Sequence, residues 1–315
     1  MNRKAIIFGI KGPKLSNEEK YLLKIEKPWG IILFSRNIKD LFQLKFLIED
    51  IRNCIKDKNY PILIDQEGGV VSRLNKIVDL TFFSQDYFGK LYKQDKKIFT
   101  HLYKIYIDKI CDILKKVGIN INTVPVLDVR RSISHNIVGN RSFSMDPLTV
   151  SQIGNLCINL YNKNKIATVI KHIPGHGLSK SDSHYSLPII KAKKTELIKN
   201  DFKPFKKNKS FFAMTAHVIY SIYDPVYTAT HSKIVINEVI RKHIGFRGIL
   251  ISDDISMKAL KYGLKDNVIK ALDAGCNLIL HCNGNIKEMT KLIKIIPTID
   301  KFTQRKTSHF YNFLG

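Results

Sequence analysis

The chain has 315 residues, 44% of them hydrophobic and 25% charged, enough for one α/β barrel with a large core and a polar surface. No apolar run is long enough to span a bilayer, and the N-terminal one, 5–10, has no small-residue cleavage site after it, so a cytoplasmic protein without a membrane partner is expected. The formal charge is +25, but the lysines are spread along the whole chain and no basic segment carries interleaved aromatics, so compositional drift rather than a nucleic-acid partner is expected.

The apolar run 5–10 reads as a first strand, and Ser16 with Glu19 matches a capping box for the helix after it. A second run covers 30–34, followed by Leu41, Leu44, Ile48, Ile51 and Ile55, which form a single helical stripe. A third run, 61–65, precedes a long polar segment, 66–95. Gly118 leads into a fourth run, 119–129, and Lys165 into a fifth, 166–170. Further runs lie at 211–215, 248–252 and 277–280, with Ser232 to Gly245 and Ser256 to Gly275 bounding helices between them. Several runs are apolar at nearly every position, as parallel strands covered on both faces require. Eight such β/α units predict a single (β/α)8 TIM barrel, α/β in class, with an open doubly wound sheet as runner-up. The barrel is expected over 1–295, with 296–315 as a C-terminal tail packing on it or trailing from it. Five cysteines, Cys54, Cys111, Cys157, Cys276 and Cys282, form no CxxC pair and read as reduced thiols.

The segments before strands are short, whereas those after strands, 66–95, 129–146, 171–193 and 216–231, are long and rich in Gly, Pro, Asp, His and Arg. Barrel enzymes build their active sites from the latter. Asp65-Gln66-Glu67-Gly68-Gly69 follows the third run, and Arg141 lies beyond the fourth. Lys171-His172 closes the fifth and leads into Pro174-Gly175-His176-Gly177 and Asp182-Ser183-His184. Thr215-Ala216-His217 ends the sixth and Ser252-Asp253-Asp254 the seventh. An isolated polar residue at a strand end is an ordinary cap. Such groups at the ends of several strands on one barrel face read as a site.

Asp182 and His184 point to the same side if the backbone there is extended, so the carboxylate can fix the imidazole tautomer and favour its charged form. An Asx-stabilised turn is the other reading. The Asp253-Asp254 pair has three readings. One carboxylate is a nucleophile for an anomeric carbon, or the pair steers a substrate acetamide group, or Asp254 caps the helix near Ser256.

Several blocks together resemble family 3 glycoside hydrolases. They are Asp65-Gln66-Glu67-Gly68-Gly69 with Arg73, Pro125-Val126-Leu127-Asp128-Val129, Asn140-Arg141-Ser142-Phe143, Lys171-His172-Ile173-Pro174-Gly175-His176-Gly177 with Asp182-Ser183-His184, Met214-Thr215-Ala216-His217, and Gly245-Phe246-Arg247-Gly248 with Ser252-Asp253-Asp254-Ile255-Ser256-Met257. They are most similar to the bacterial β-N-acetylglucosaminidases of cell-wall recycling. The resemblance implies a retaining exo-glycosidase with Asp253 as nucleophile, His184 as acid/base and Asp182 orienting it. By the same resemblance Asp65, Arg73, Arg141, Lys171 and His172 hold the hydroxyls of the terminal sugar. The implied partner is a small carbohydrate or muropeptide, N-acetylglucosamine linked to 1,6-anhydro-N-acetylmuramic acid with or without a stem peptide. No metal or organic cofactor is implied. Val70 replaces an arginine often found after the two glycines, and Asn140 an aspartate common before Arg141. The second domain of the family's larger β-glucosidases is not expected. Three other activities fit parts of the pattern: a family 3 phosphorylase, a metal-dependent hydrolase using His172, His176, Asp182 and His184, and a basic binding barrel without catalysis.

Overall fold

Strands that are apolar on both faces need neighbours along both edges and cover on both sides, and a closed barrel ringed by helices supplies these. The computed structural model describes residues 2–132, 138–179 and 187–315. In chain order it contains β1 (Lys4–Gly9), α1 (Asn17–Glu26), β2 (Pro28–Leu33), α2 (Leu41–Ile55), β3 (Ile62–Ile64), α3 (Gln85–Gln94), α4 (Lys96–Val117) and β4 (Ile121–Asn122). Then come α5 (Pro147–Lys163), β5 (Ala167–Ile173), β6 (Ile189–Ile190), α6 (Lys194–Lys199), β7 (Phe212–Thr215) and β8 (Ile219–Tyr220). A π-helical segment, Val235–Ile244, precedes β9 (Ile249–Asp254), α7 (Leu264–Ala274), β10 (Leu278–His281), α8 (Ile286–Ile293) and α9 (Lys301–Leu314).

The barrel closes in the order β1-β10-β9-β7-β5-β4-β3-β2, and every pair in it is parallel. Each of the eight apolar runs supplies one of its strands, so the (β/α)8 architecture is as predicted. The fourth run is paired in the ladder only at Ile121–Asn122. Its remainder stays buried up to Val129 and touches β5 through a bridge between Val126 and Lys171. The two-residue strands β6 and β8 pair with each other outside the barrel, inside the long segments that follow β5 and β7.

Local signals account for most helix limits. The Ser16 and Glu19 capping box is formed in both directions. Leu44, Ile48, Ile51 and Ile55 are the buried stripe of α2. Gly118 stops α4 at φ 92°, a left-handed conformation that side chains resist. Ser232 Oγ accepts from Val235 N at 3.1 Å, and Gly245 ends that helix in the left-handed region.

Two expectations are corrected. The segment 66–95 is not all loop: Ser84 caps α3 within it, and Asp95 then caps α4. Ser256 does not cap a helix that ends at Gly275, because its hydroxyl is bonded to the Asp254 carboxylate at 2.9 Å and α7 begins only at Leu264.

The lower end of the barrel is closed by α9. Trp29 of β2 is fully buried and its Nε1 donates to Thr307 of α9 at 2.9 Å. Phe310 of the same helix lies edge-on to Phe212 at 5.4 Å between ring centres. Cys54, Cys111, Cys157 and Cys276 are buried free thiols, and Cys282 is half-buried. Among the described residues no helix is long and apolar enough to cross a membrane.

Candidate active site

A cavity of about 420 Å³ opens at the C-terminal ends of the barrel strands. Asp65, Arg73, Arg141, Lys171, His172 and Asp253 all line it, so the structure brings together six of the eight predicted site residues. Asp182 and His184 lie outside the described residues.

Asp65 stands just past β3. Its Oδ2 accepts from Arg73 Nη2 at 2.7 Å, and its Oδ1 accepts from Lys171 Nζ and Thr123 Oγ1, each at 2.5 Å. Burial alone would raise the Asp65 carboxyl, but the Lys171 ammonium and Arg73 guanidinium outweigh it and hold the group well below the usual carboxylate range. Lys171, on β5, is itself almost fully buried. Burial works against its charge, yet the carboxylates of Asp65 and Glu67 more than compensate and raise its pKa. Glu67 receives Lys171 at 2.6 Å and a two-pronged grip from Arg141, with Nε and Nη2 each at 2.8 Å. The floor is therefore a lattice of two carboxylates and three cations, each cation held in a fixed direction.

His172 is held from behind. Its Nδ1 lies 2.7 Å from Asp128 Oδ2, so in the neutral ring that carries the proton on Nδ1 the carboxylate accepts it. Asp128 Oδ1 also accepts from the backbone N–H of His176 at 2.7 Å. Burial would raise Asp128, but His172 and the His176 amide outweigh this and bring it down to about 2. The loops after β4 and β5 fit together through Gly177, where an added Cβ would stand 1.9 Å from the Val129 carbonyl oxygen.

Strand parity in the sequence does not separate Asp253 from Asp254, and both line the cavity. Asp254 is engaged locally: Ser256 Oγ donates to it at 2.9 Å, and the N–H groups of Ser256 and Cys282 each lie 3.2 Å from its Oδ1. The reading of Asp254 as a helix cap does not hold, because no helix begins near Ser256; its carboxylate organises a turn instead. Asp253 Oδ1 accepts the Asp254 N–H at 2.8 Å and lines the cavity wall. Ile32, Phe34, Val126, Met214, Met257 and Leu280 supply apolar surface around these polar groups.

Thr123, Glu67 and Asp128 are functional partners that the sequence reading did not single out as site residues. The signal was present in part, since Glu67 and Asp128 fall inside the quoted blocks. Thr123 has none, because only the closed barrel places it beside Asp65. Among the described residues no group of three His, Cys, Asp or Glu side chains is placed to hold a metal ion.

A carboxylate on the wall of a cavity of this size, over a floor of directed hydrogen-bond donors and acceptors in a (β/α)8 barrel, fits a sugar-cleaving hydrolase. Residues 4–307 match the glycosyl hydrolase family 3 N-terminal domain, and the chain belongs to that family; it is a glycosidase. It is 34% identical over 302 residues to a β-hexosaminidase of Psychromonas ingrahamii, covering 93% of this chain and 87% of that one. Its fold superposes on NagZ from Neisseria gonorrhoeae in complex with N-trifluoroacetyl-D-glucosamine with a TM-score of 0.88 and 28% identity, covering 98% and 90% of the two chains. A family 3 β-N-acetylglucosaminidase from Paenibacillus sp. is longer: the match has a TM-score of 0.85 and 26% identity and covers 98% of this chain but 60% of that one.

Proposed function

We propose that the protein is a retaining exo-β-N-acetylglucosaminidase whose nucleophile is Asp253. The observation that carries this reading is the position of Asp253 on the wall of a cavity whose floor is the Asp65, Arg73, Lys171, Glu67 and Arg141 lattice. In this mechanism Asp65, Arg73, Arg141, Lys171 and His172 hold the hydroxyls of a non-reducing terminal N-acetylglucosamine. That places its anomeric carbon against the Asp253 carboxylate. Asp253 attacks, the C–O bond to the leaving group breaks, and His184, oriented by Asp182, gives its proton to the departing oxygen. Water then enters, His184 takes a proton from it, and the glycosyl–Asp253 ester is cleaved with the β configuration kept.

The proposed substrate is N-acetylglucosamine on 1,6-anhydro-N-acetylmuramic acid, with or without its anionic stem peptide, met in the cytoplasm. The relatives' names support the sugar, and the formal charge of +25 suits an anionic aglycone. Residues 1–295 would form the catalytic barrel, with 296–315 packed on its N-terminal face.

Trapping the ester tests the reading. Incubation with a 5-fluoro-N-acetylglucosaminyl fluoride, followed by peptide mass spectrometry, should place the label on Asp253; a label elsewhere overturns the assignment. Replacing His184 with Ala should slow natural disaccharides by about 10²- to 10⁴-fold and nitrophenyl glycosides far less, because a good leaving group needs no proton. Equal losses on both substrates would remove His184 from the acid/base role.

A further inference from the structure

His217 follows β7, is fully buried, and has no part in the mechanism above. Its two ring nitrogens are both engaged. Nε2 lies 3.0 Å from the backbone carbonyl oxygen of Asp254, and Nδ1 lies 2.7 Å from Thr230 Oγ1. A carbonyl can only accept, so Nε2 carries the proton. In the neutral ring Nδ1 must then accept, and Thr230 must donate its hydroxyl hydrogen to it. Thr230 Oγ1 in turn lies 2.8 Å from Thr215 Oγ1, which donates into the chain. Burial lowers the pKa of His217 and so favours this neutral tautomer.

The run of bonds from Thr215 through Thr230 and His217 therefore ends on the main chain of Asp254. That residue is gripped at its other polar groups as well. Its N–H donates to Asp253 Oδ1 at 2.8 Å, and its carboxylate is tied to Ser256 and to the Cys282 amide. Of these, the carbonyl contact is the one that links the end of β9 to the segment after β7. The same carbonyl accepts from Met257 N–H at 3.1 Å, and the Ile255 N–H of that peptide donates to Leu280 O at 2.9 Å, so His217 is one of three contacts that hold residue 254, whose N–H lies against the Asp253 carboxylate.

We infer that His217 is a positioning residue for Asp253, acting through the Asp254 main chain with its tautomer set by Thr230. The inference rests on the reading of Asp253 as nucleophile. His217 needs no contact with the sugar for this role. Its removal should affect the bond-forming step and leave ground-state binding of the sugar, assigned above to Asp65, Arg73, Arg141, Lys171 and His172, nearly unchanged.

The test compares His217→Leu, His217→Gln and Thr230→Val with the unmodified enzyme. The readout is the first-order rate of labelling by the 5-fluoro donor at saturation, followed by intact-protein mass. Partial unfolding lowers the amplitude of labelling but not its rate constant. His217→Leu, which has no donor, should label about a hundredfold more slowly, the scale of a small misplacement of a reacting group. Half-saturation should stay within about threefold. His217→Gln, which restores an N–H near the position of Nε2, should recover most of the rate, and Thr230→Val should fall between the two. Equal rates for His217→Leu and the unmodified enzyme overturn the inference, as does a Gln variant no better than Leu. A label on a residue other than Asp253 in the unmodified enzyme instead sinks the functional reading.

Discussion

Arg141 and Glu67 show how far individual residues depend on each other in the floor of the cavity. Glu67 is buried and Arg141 mostly so, and the guanidinium reaches Glu67 through two bonds of 2.8 Å. Removing one partner of a buried pair costs about 3–5 kcal/mol when the other charge is left unpaired. Glu67 keeps Lys171 at 2.6 Å when Arg141 is gone, so Arg141→Ala should cost less than that in urea denaturation while losing activity. Adding Glu67→Gln should lower stability further, because Lys171 then loses one of its two carboxylates, and should return none of the activity. A double variant more stable than Arg141→Ala alone would contradict the lattice as described. Much of this site was readable in the chain: Asp65, Arg73, Arg141, Lys171, His172 and Asp253 all meet in one cavity. What could not be read was the second partner of each group. Glu67 and Asp128 act through the residues they orient, and a linear pattern does not say which cation or imidazole a buried carboxylate will face.

Helix α9 contributes through packing and hydrogen bonds remote from the cavity. Phe310 is fully buried against Phe212, and Thr307 takes the indole hydrogen of Trp29. Truncating a buried aromatic side chain costs about 3–5 kcal/mol. Phe310→Ala should lower the unfolding free energy by that amount while kcat per folded molecule stays unchanged, because the strand ends that carry the chemistry are at the other end of the barrel. A variant with normal stability, or one with a lower kcat per folded molecule, would count against this division. The barrel strands were visible as apolar runs because burial on both faces leaves no polar alternation to confuse them. The misread elements have physical causes. Helix α3 is short, buries Gln85 and Asp86, and abuts α4, so it merges into its polar surroundings. Ser256 has the chemistry of a cap, but Asp254 uses it to bind a turn. The pair β6 and β8 is two residues per strand, too short for any periodicity.

The buried ionisable groups of the whole molecule set its response to acid. Burial lowers His176 and His231 from 6.5 to about 4. Between those values the unfolded chain takes up protons that the native protein refuses. The stability these groups contribute is thus present above pH 6.5 and is lost as pH falls toward 4, by up to about 3 kcal/mol for each. Asp201 has the opposite sign. Burial, against the pull of Arg131, raises it from 3.8 to about 6, so the native protein holds a proton there that the unfolded chain releases. Its contribution is present at low pH and disappears as pH rises through 6. With His176, His231 and the likewise lowered His217 against one aspartate, the thermal midpoint should drop on acidification from 6.5 to 4, and Asp201→Asn should make the drop steeper. A flat profile, or an Asp201→Asn variant with a shallower slope, would contradict this balance.

The closure of the lower barrel end by α9 also has a practical meaning. Helix α9 lies on the side away from the cavity mouth, so an anchoring group attached to its exposed face should hold the enzyme on a solid support with its opening toward the solution. A bulky aglycone would then approach a bead-bound molecule as freely as a dissolved one.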